Sequence, residues 1–191
     1  MFIVYMSNYI YIFENSISTE LCKDIIKQFD TDKELCQPGV TSMGHITEIK
    51  DSLDLNIMQY DHDWNKVKQV LCRELTKHSK IYCHKHSKQA HTYEIDTIQI
   101  QRYAKNVGHF KLHIDEQNTY VRSRDMVFMW YLNDVEYGGE TCFPDQGLKV
   151  KPEAGKLVFF PATWTYPHCA NIPISSNKYI ITGWFYKNHT E

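Results

Sequence analysis

A chain of 191 residues with 42% hydrophobic and 14% aromatic residues can bury a substantial core, which excludes an intrinsically disordered protein. Its 21 basic and 23 acidic residues nearly cancel, so bulk electrostatic attraction to nucleic acid is excluded and only a local basic groove stays open. Six scattered cysteines without a CxxC pair make no disulfide scaffold, no stretch approaches the roughly 20 apolar residues of a membrane span, and the apolar N-terminus lacks a basic leader, so the expectation is a soluble cytoplasmic protein with reduced thiols.

Residues 10–13 form a short β-branched and aromatic run that suits an opening strand. From Ser18, a good N-cap, Leu21, Ile25, Ile26 and Phe29 recur at helical spacing, with Glu20 near the positive end of the helix dipole. Residues 36–60 hold Pro38, Gly39 and Gly44 without a sustained period and read as loop with one short strand. Trp64, Val67, Val70, Leu71 and Leu75 mark a second helix, starting near Asp61 and running towards a basic, His-rich stretch up to Lys88. From Tyr93 onward the pattern changes to strands. Ile98 and Ile100 alternate with Gln99, Gln101 and Tyr103. Residues 126–132 form a near-continuous apolar run, as expected for a strand covered on both sides. Residues 156–160 and 178–186 supply two more strands. Helices first and short strands afterwards predict a mainly β fold, an antiparallel sandwich or jelly roll with the helices packed on one sheet, and nothing marks a linker between two domains.

The chemistry centres on residues 103–115. His113 and Asp115 stand two apart in a run that alternates like a strand, so an imidazole and a carboxylate project to one side. A second histidine would complete the two-His-one-carboxylate triad that holds non-haem Fe(II) with open coordination positions. His168 is the candidate, although an arbitrary histidine is more often hydrogen-bonded to backbone than bound to metal. Ten residues later Lys178 shares a strand face with Ile180, Thr182 and Trp184.

In order along the chain, Tyr103, Gly108, Phe110, His113 and Asp115, then Tyr131-Leu132-Asn133-Asp134 with Gly138-Gly139-Glu140-Thr141-Cys142-Phe143-Pro144, then Gly155, residues 157–160, His168, Lys178 and Trp184 resemble the Fe(II)- and 2-oxoglutarate-dependent dioxygenases, in their prolyl 4-hydroxylase-like branch. The resemblance implies a double-stranded β-helix, with residues 93–191 as a catalytic core and residues 1–92 as a helical and strand support region of one domain spanning 1–191. It implies Fe(II) on His113, Asp115 and His168, with 2-oxoglutarate and O2 as co-substrates and ascorbate as a supporting reductant. Lys178 would pair with the distal carboxylate of 2-oxoglutarate, Tyr103 and Thr141 would complete its shell, and Trp184 would wall the pocket. The implied activity is hydroxylation of a prolyl residue in a peptide or protein, coupled to decarboxylation of 2-oxoglutarate to succinate and CO2. Hydroxylation of another residue, a free amino acid or a small metabolite is the alternative, and a catalytically silent β-sandwich binding module is a further one.

Two other features carry expectations. Residues 116–125, with Tyr120, Arg122 and Arg124, read as a long polar loop able to act as a lid over the site. His78, Cys83, His84, His86 and His91 fit no zinc-finger spacing and read as a solvated cluster at a helix end.

Overall fold

The structure is a computed structural model that describes residues 3–7, 9–60, 63–86, 94–117, 119 and 122–188. In chain order its elements are β1 (Ile3–Ser7), β2 (Ile10–Phe13), α1 (Thr19–Thr31), β3 (Gln37–Pro38), β4 (Lys50–Asp51), β5 (Leu53–Asn56), α2 (Asn65–Lys85), β6 (Ile98–Tyr103), β7 (His109–His113), β8 (Arg122–Tyr131), β9 (Thr141–Phe143), β10 (Leu148–Val150), β11 (Leu157–Pro161), β12 (His168–Ala170) and β13 (Lys178–Asn188). The strands form two antiparallel sheets, ordered β1-β2-β11-β8-β13-β6-β5-β3 and β10-β9-β12-β7-β4. This is the expected jelly-roll architecture, mainly β with both helices packed on one sheet.

The apolar runs are continuous because the large sheet is covered on both faces. Along β8, Met126, Phe128 and Trp130 join the core under the helices, while Val127, Met129 and Tyr131 join the core between the sheets. In β11, Leu157 and Phe159 face the helices, whereas Val158 and Phe160 face the small sheet. Each fully buried aromatic or aliphatic side chain contributes about 1.5–3 kcal/mol of transfer free energy. The helices seat themselves by local rules. The Ser18 hydroxyl accepts the Leu21 amide hydrogen at 3.1 Å and caps α1, which buries Cys22, Ile25 and Phe29. Helix α2 buries Val67, Leu71, Leu75 and Tyr82, and the Trp64 indole just before it donates to Asp32 Oδ2 at 3.0 Å, tying the helices together.

Three expectations change. Residues 36–60 hold three short strands instead of one, and the segment 50–56 serves both sheets: β4 pairs with β7 and β5 with β6, with only Ser52 between them. The charged Lys50, Asp51 and Asp54 hide this strand pattern in the sequence. The His/Cys patch is not solvated as a whole. His78 and Cys83 are buried, His78 Nδ1 donates to the Glu74 carbonyl at 2.7 Å, and its ring meets Phe13 edge-on, because α2 turns that face onto the core. Arg122 and Arg124 lie in β8, since its pairing with β13 extends beyond the apolar run. The expected boundaries at Asp61, Lys88 and Tyr93, and the residues His91 and Tyr120, lie outside the described residues. Among the described residues no helix is long and apolar enough to cross a membrane.

Candidate metal and co-substrate site

A cavity of about 790 Å³ opens between the two sheets. His113 ends β7 and His168 begins β12, and the two stand directly opposite in the pairing, with ring centroids 4.2 Å apart. The next β12 position in register, Ala170, faces Phe110, so three steps of β7 oppose two of β12. That irregularity is a bulge, a device that re-aims side chains beside functional sites. Asp115 lies two residues past the end of β7, outside the strand where the alternating pattern put it, yet its side chain still joins the histidines. Ligand atoms of His113, Asp115 and His168 all lie within 4.8 Å of one another, and Asp115 Oδ2 is 3.4 Å from His168 Nε2. Among the described residues this is the one such cluster.

Both imidazoles are oriented by backbone. His113 Nδ1 lies 2.8 Å from the Lys111 carbonyl and His168 Nδ1 lies 3.2 Å from the Tyr166 carbonyl. A carbonyl only accepts, so each ring donates from Nδ1, which leaves Nε2 as the atom for a ligand bond. Burial, reinforced by the neighbouring His168, pushes the His113 pKa down to about 4, so this ring is neutral at pH 7, as metal ligation requires. Two imidazoles and one carboxylate fit the donor set of non-haem Fe(II).

In the same cavity, Lys178 is fully buried at the start of β13. Its ammonium donates to the Gly139 carbonyl at 2.9 Å and lies 4.7 Å from the centroid of the Tyr103 ring. Burial lowers its pKa to about 8, against the opposing pull of Glu140. Among the described residues no carboxylate forms an ion pair with it. The neighbouring Gly138 and Gly139 have φ of +73° and +75°, and a Cβ on Gly138 would stand 2.3 Å from the Ile172 carbonyl oxygen, so this turn towards Lys178 needs glycine.

The other expected residues also line the cavity. Thr141 Oγ1 accepts the Tyr131 hydroxyl hydrogen at 2.8 Å, while among the described residues the Thr141 hydroxyl has only the Met129 sulfur, at 3.8 Å, to donate to. The Tyr103 hydroxyl donates to Gln101 Oε1 at 2.9 Å. The Trp184 indole N–H has no acceptor among the described residues.

Arg124, expected on a lid loop over the site, reaches it from strand β8, and a buried polar chain was not expected there. The Arg124 guanidinium lies 3.6 Å from the centroid of the Trp184 ring, and its Nη1 donates to the Asp115 backbone carbonyl at 3.3 Å. Arg122 is engaged elsewhere, with Asp96 at 2.6 Å and the Tyr186 ring at 4.2 Å. Lys50 and Asp54 form a buried ion pair at 2.6 Å that continues through Gln101 to Tyr103. The shared parity of Gln99, Gln101 and Tyr103 hinted at a polar wall, but Asp54 comes from a segment that reads as loop.

Comparison with known proteins agrees with this geometry. The 2OG-Fe(II) oxygenase superfamily profile matches residues 98–186. The fold is similar to that of a viral collagen prolyl hydroxylase from Paramecium bursaria Chlorella virus-1, solved with 2OG, at TM-score 0.70 and 20% identity over 94% of this chain and 96% of that one. It is also similar to a Trichoplax adhaerens prolyl hydroxylase, solved with a hypoxia inducible factor peptide fragment, at TM-score 0.76 and 18% identity over 94% and 84% of the two chains. A Pseudomonas putida prolyl-4-hydroxylase matches at TM-score 0.71 and 18% identity, over 95% of this chain and 94% of its own. The segment 98–186 that matches the 2OG-Fe(II) oxygenase superfamily profile carries His113, Asp115 and His168 together, on a fold like that of these prolyl hydroxylases.

Proposed function

We propose that this enzyme hydroxylates a prolyl residue of a peptide or protein, using Fe(II), 2-oxoglutarate and O2. The observation that carries this reading is the pairing, inside one cavity, of the triad with a buried lysine that forms no ion pair among the described residues. His113, Asp115 and His168 would hold the metal. When bound, Fe(II) supplies the oxidising chemistry that couples decarboxylation of 2-oxoglutarate to hydroxylation of a C–H bond.

The residues of the chain position the reactants. Lys178 offers the charge that a buried distal carboxylate requires, and Thr141 a hydroxyl donor beside it. The Arg124–Trp184 stack walls the cavity and fixes the Asp115 backbone. Its planar indole and remaining guanidinium N–H groups suit a pyrrolidine ring and the carbonyls of an extended peptide. The known prolyl hydroxylases of the same fold, one of them carrying a peptide, support a prolyl acceptor. Six free cysteines support a reducing, cytoplasmic setting, and ascorbate is the reductant expected to sustain turnover.

Incubating the protein with Fe(II), ascorbate, 2-oxoglutarate and a library of proline-containing peptides tests the proposal by succinate release and by mass spectrometry. The expected result is peptide-stimulated succinate with one oxygen added at proline. Succinate without oxygen on any peptide points to another acceptor, and no succinate at all points to a silent binding module. His113→Ala or His168→Ala should lower turnover at least about a thousandfold, since each removes one of three ligands. Wild-type succinate formation in either variant would refute the triad.

A further inference from the structure

Gln101 stands between Tyr103 and Asp54 with both ends of its amide in use. Its Nε2 donates to Asp54 Oδ2 at 3.2 Å and to Gln99 Oε1 at 3.0 Å, while its Oε1 accepts the Tyr103 hydroxyl hydrogen at 2.9 Å. Asp54 is itself held, by the Lys50 ammonium at 2.6 Å on Oδ2 and by the Ser52 hydroxyl at 2.8 Å on Oδ1. Lys50, Asp54, Gln101 and Tyr103 are all buried. Turning the amide over would set its oxygen against a carboxylate in a low-dielectric interior, so Asp54 fixes which end faces Tyr103.

This arrangement has a consequence for the co-substrate. A phenol has one hydrogen, and here it is given to Gln101. To a carboxylate arriving beside Lys178, Tyr103 presents lone pairs. For Tyr103 to donate to that carboxylate, its hydrogen must leave Gln101 Oε1, and a buried acceptor is then left without a partner. The family resemblance implies Tyr103 as a hydrogen-bonding part of the carboxylate shell, and the surrounding hydrogen bonds oppose that role.

We propose that Gln101, oriented by Asp54, is a positioning residue that keeps the Tyr103 hydroxyl from the co-substrate carboxylate and so lowers the affinity of this chain for 2-oxoglutarate. The proposal rests on the reading that Lys178 anchors that carboxylate. Removing the competing acceptor frees the Tyr103 hydrogen for the ligand. The gain must therefore depend on Tyr103, whereas damage to packing would lower affinity with or without it.

The test is calorimetric titration of 2-oxoglutarate into the full-length protein loaded with Mn(II), which binds without turnover. Gln101→Met should bind 2-oxoglutarate about fivefold more tightly than the unaltered protein, the magnitude of one hydrogen bond. Adding Tyr103→Phe should abolish that gain, while Tyr103→Phe alone should change affinity by less than about threefold. Gln101→Leu serves as a second acceptor-free variant if the methionine does not fold, and should show the same gain. Unchanged or weaker binding in the Gln101 variants, or a gain that survives Tyr103→Phe, overturns the proposal. Lys178→Ala in the same titration separates the two readings. If it leaves affinity unchanged, the co-substrate reading and this one both fail. If it weakens binding while the Gln101 variants show no gain, only the role of Gln101 fails.

Discussion

Two buried lysines line one cavity, and their surroundings differ. Lys50 has its carboxylate: Asp54 lies 2.6 Å away, and Ser52 and Gln101 satisfy the remaining oxygen positions. Lys178 has a backbone carbonyl and the face of a tyrosine. An ammonium removed from water requires a compensating charge or a lowered pKa. At Lys50 the chain supplies that charge, and the pair stitches the small sheet, through β4, to the large sheet, through β5. At Lys178 the chain leaves it out and tolerates a depressed pKa of about 8. A buried charge completed from within is structural, and one left incomplete is a place for a ligand's charge.

The sharpest way to break this comparison is to make both lysines methionine. Lys50→Met strands Asp54 in the interior and should cost about 3–5 kcal/mol of stability. For a chain of this size that is a fall of about 10 °C or more in Tm. Its affinity for 2-oxoglutarate should stay within about threefold of the unaltered protein, because the pair is not a ligand contact. Lys178→Met should do the opposite. Removing an uncompensated buried charge should raise Tm by a few degrees, about 1–2 kcal/mol. It should also weaken 2-oxoglutarate about a hundredfold, the loss of a charge-assisted pair. Thermal melts with and without 2-oxoglutarate read both effects, and a fall in Tm for Lys178→Met with no loss of affinity would refute the distinction.

Much of this site is legible in the sequence, and the lysine pair shows where legibility ends. The strands that build the two cores announce themselves through apolar parity. His113, Asp115, His168 and Lys178 announce themselves through spacing along a motif series, which the fold brings into one cavity. Lys50 and Asp54 do not, because their meeting depends on a segment that passes from one sheet to the other within a few residues. In sequence, a lysine and an aspartate four apart among loop residues read as solvated. Arg124 is read as part of a lid loop for a related reason. Charged residues opening an apolar strand look like the end of a loop, and only the partner strand β13 shows the pairing continuing through them. Tyr103 is legible as a site residue, but the direction of its hydrogen is not, since Asp54 sets it from a distant part of the chain.

A smaller effect comes from pH. The folded-state pKa of Lys178, about 8, lies below its ordinary value of 10.5. Between those values the unfolded chain binds more protons than the folded one, so the stability of the ligand-free protein should rise with pH across that window. On the proposed role of Lys178, affinity for 2-oxoglutarate should move the other way, because the ammonium that would receive its carboxylate loses its proton as pH climbs through about 8. A fall of about tenfold between roughly pH 7.5 and pH 9 is expected, and Lys178→Met should remove it. Chemical denaturation and calorimetry of the Mn(II)-loaded protein at the two pH values check both signs. Parallel slopes, with stability and affinity changing in the same direction, would exclude Lys178 as the group responsible.

The smallest effect carries the distinction down to two hydroxyl-bearing residues that line the cavity with Lys178. Tyr103 is completed by Gln101, whereas Thr141 has only a thioether for its hydrogen and keeps a donor for a ligand. Thr141→Val leaves no orphan, because the Tyr131 hydroxyl that it strands still has the Val150 carbonyl at 3.3 Å. Stability should therefore hold while 2-oxoglutarate binding weakens about fivefold. Tyr103→Phe takes the only donor from Gln101 Oε1, so its cost should appear in stability, about 1–2 kcal/mol, with little change in affinity. Measured side by side, the two variants should separate, one losing affinity and the other stability. If Tyr103→Phe loses the affinity and Thr141→Val the stability, the hydroxyl of Tyr103 reaches the ligand, and the contrast between completed and waiting groups fails at this end of the cavity.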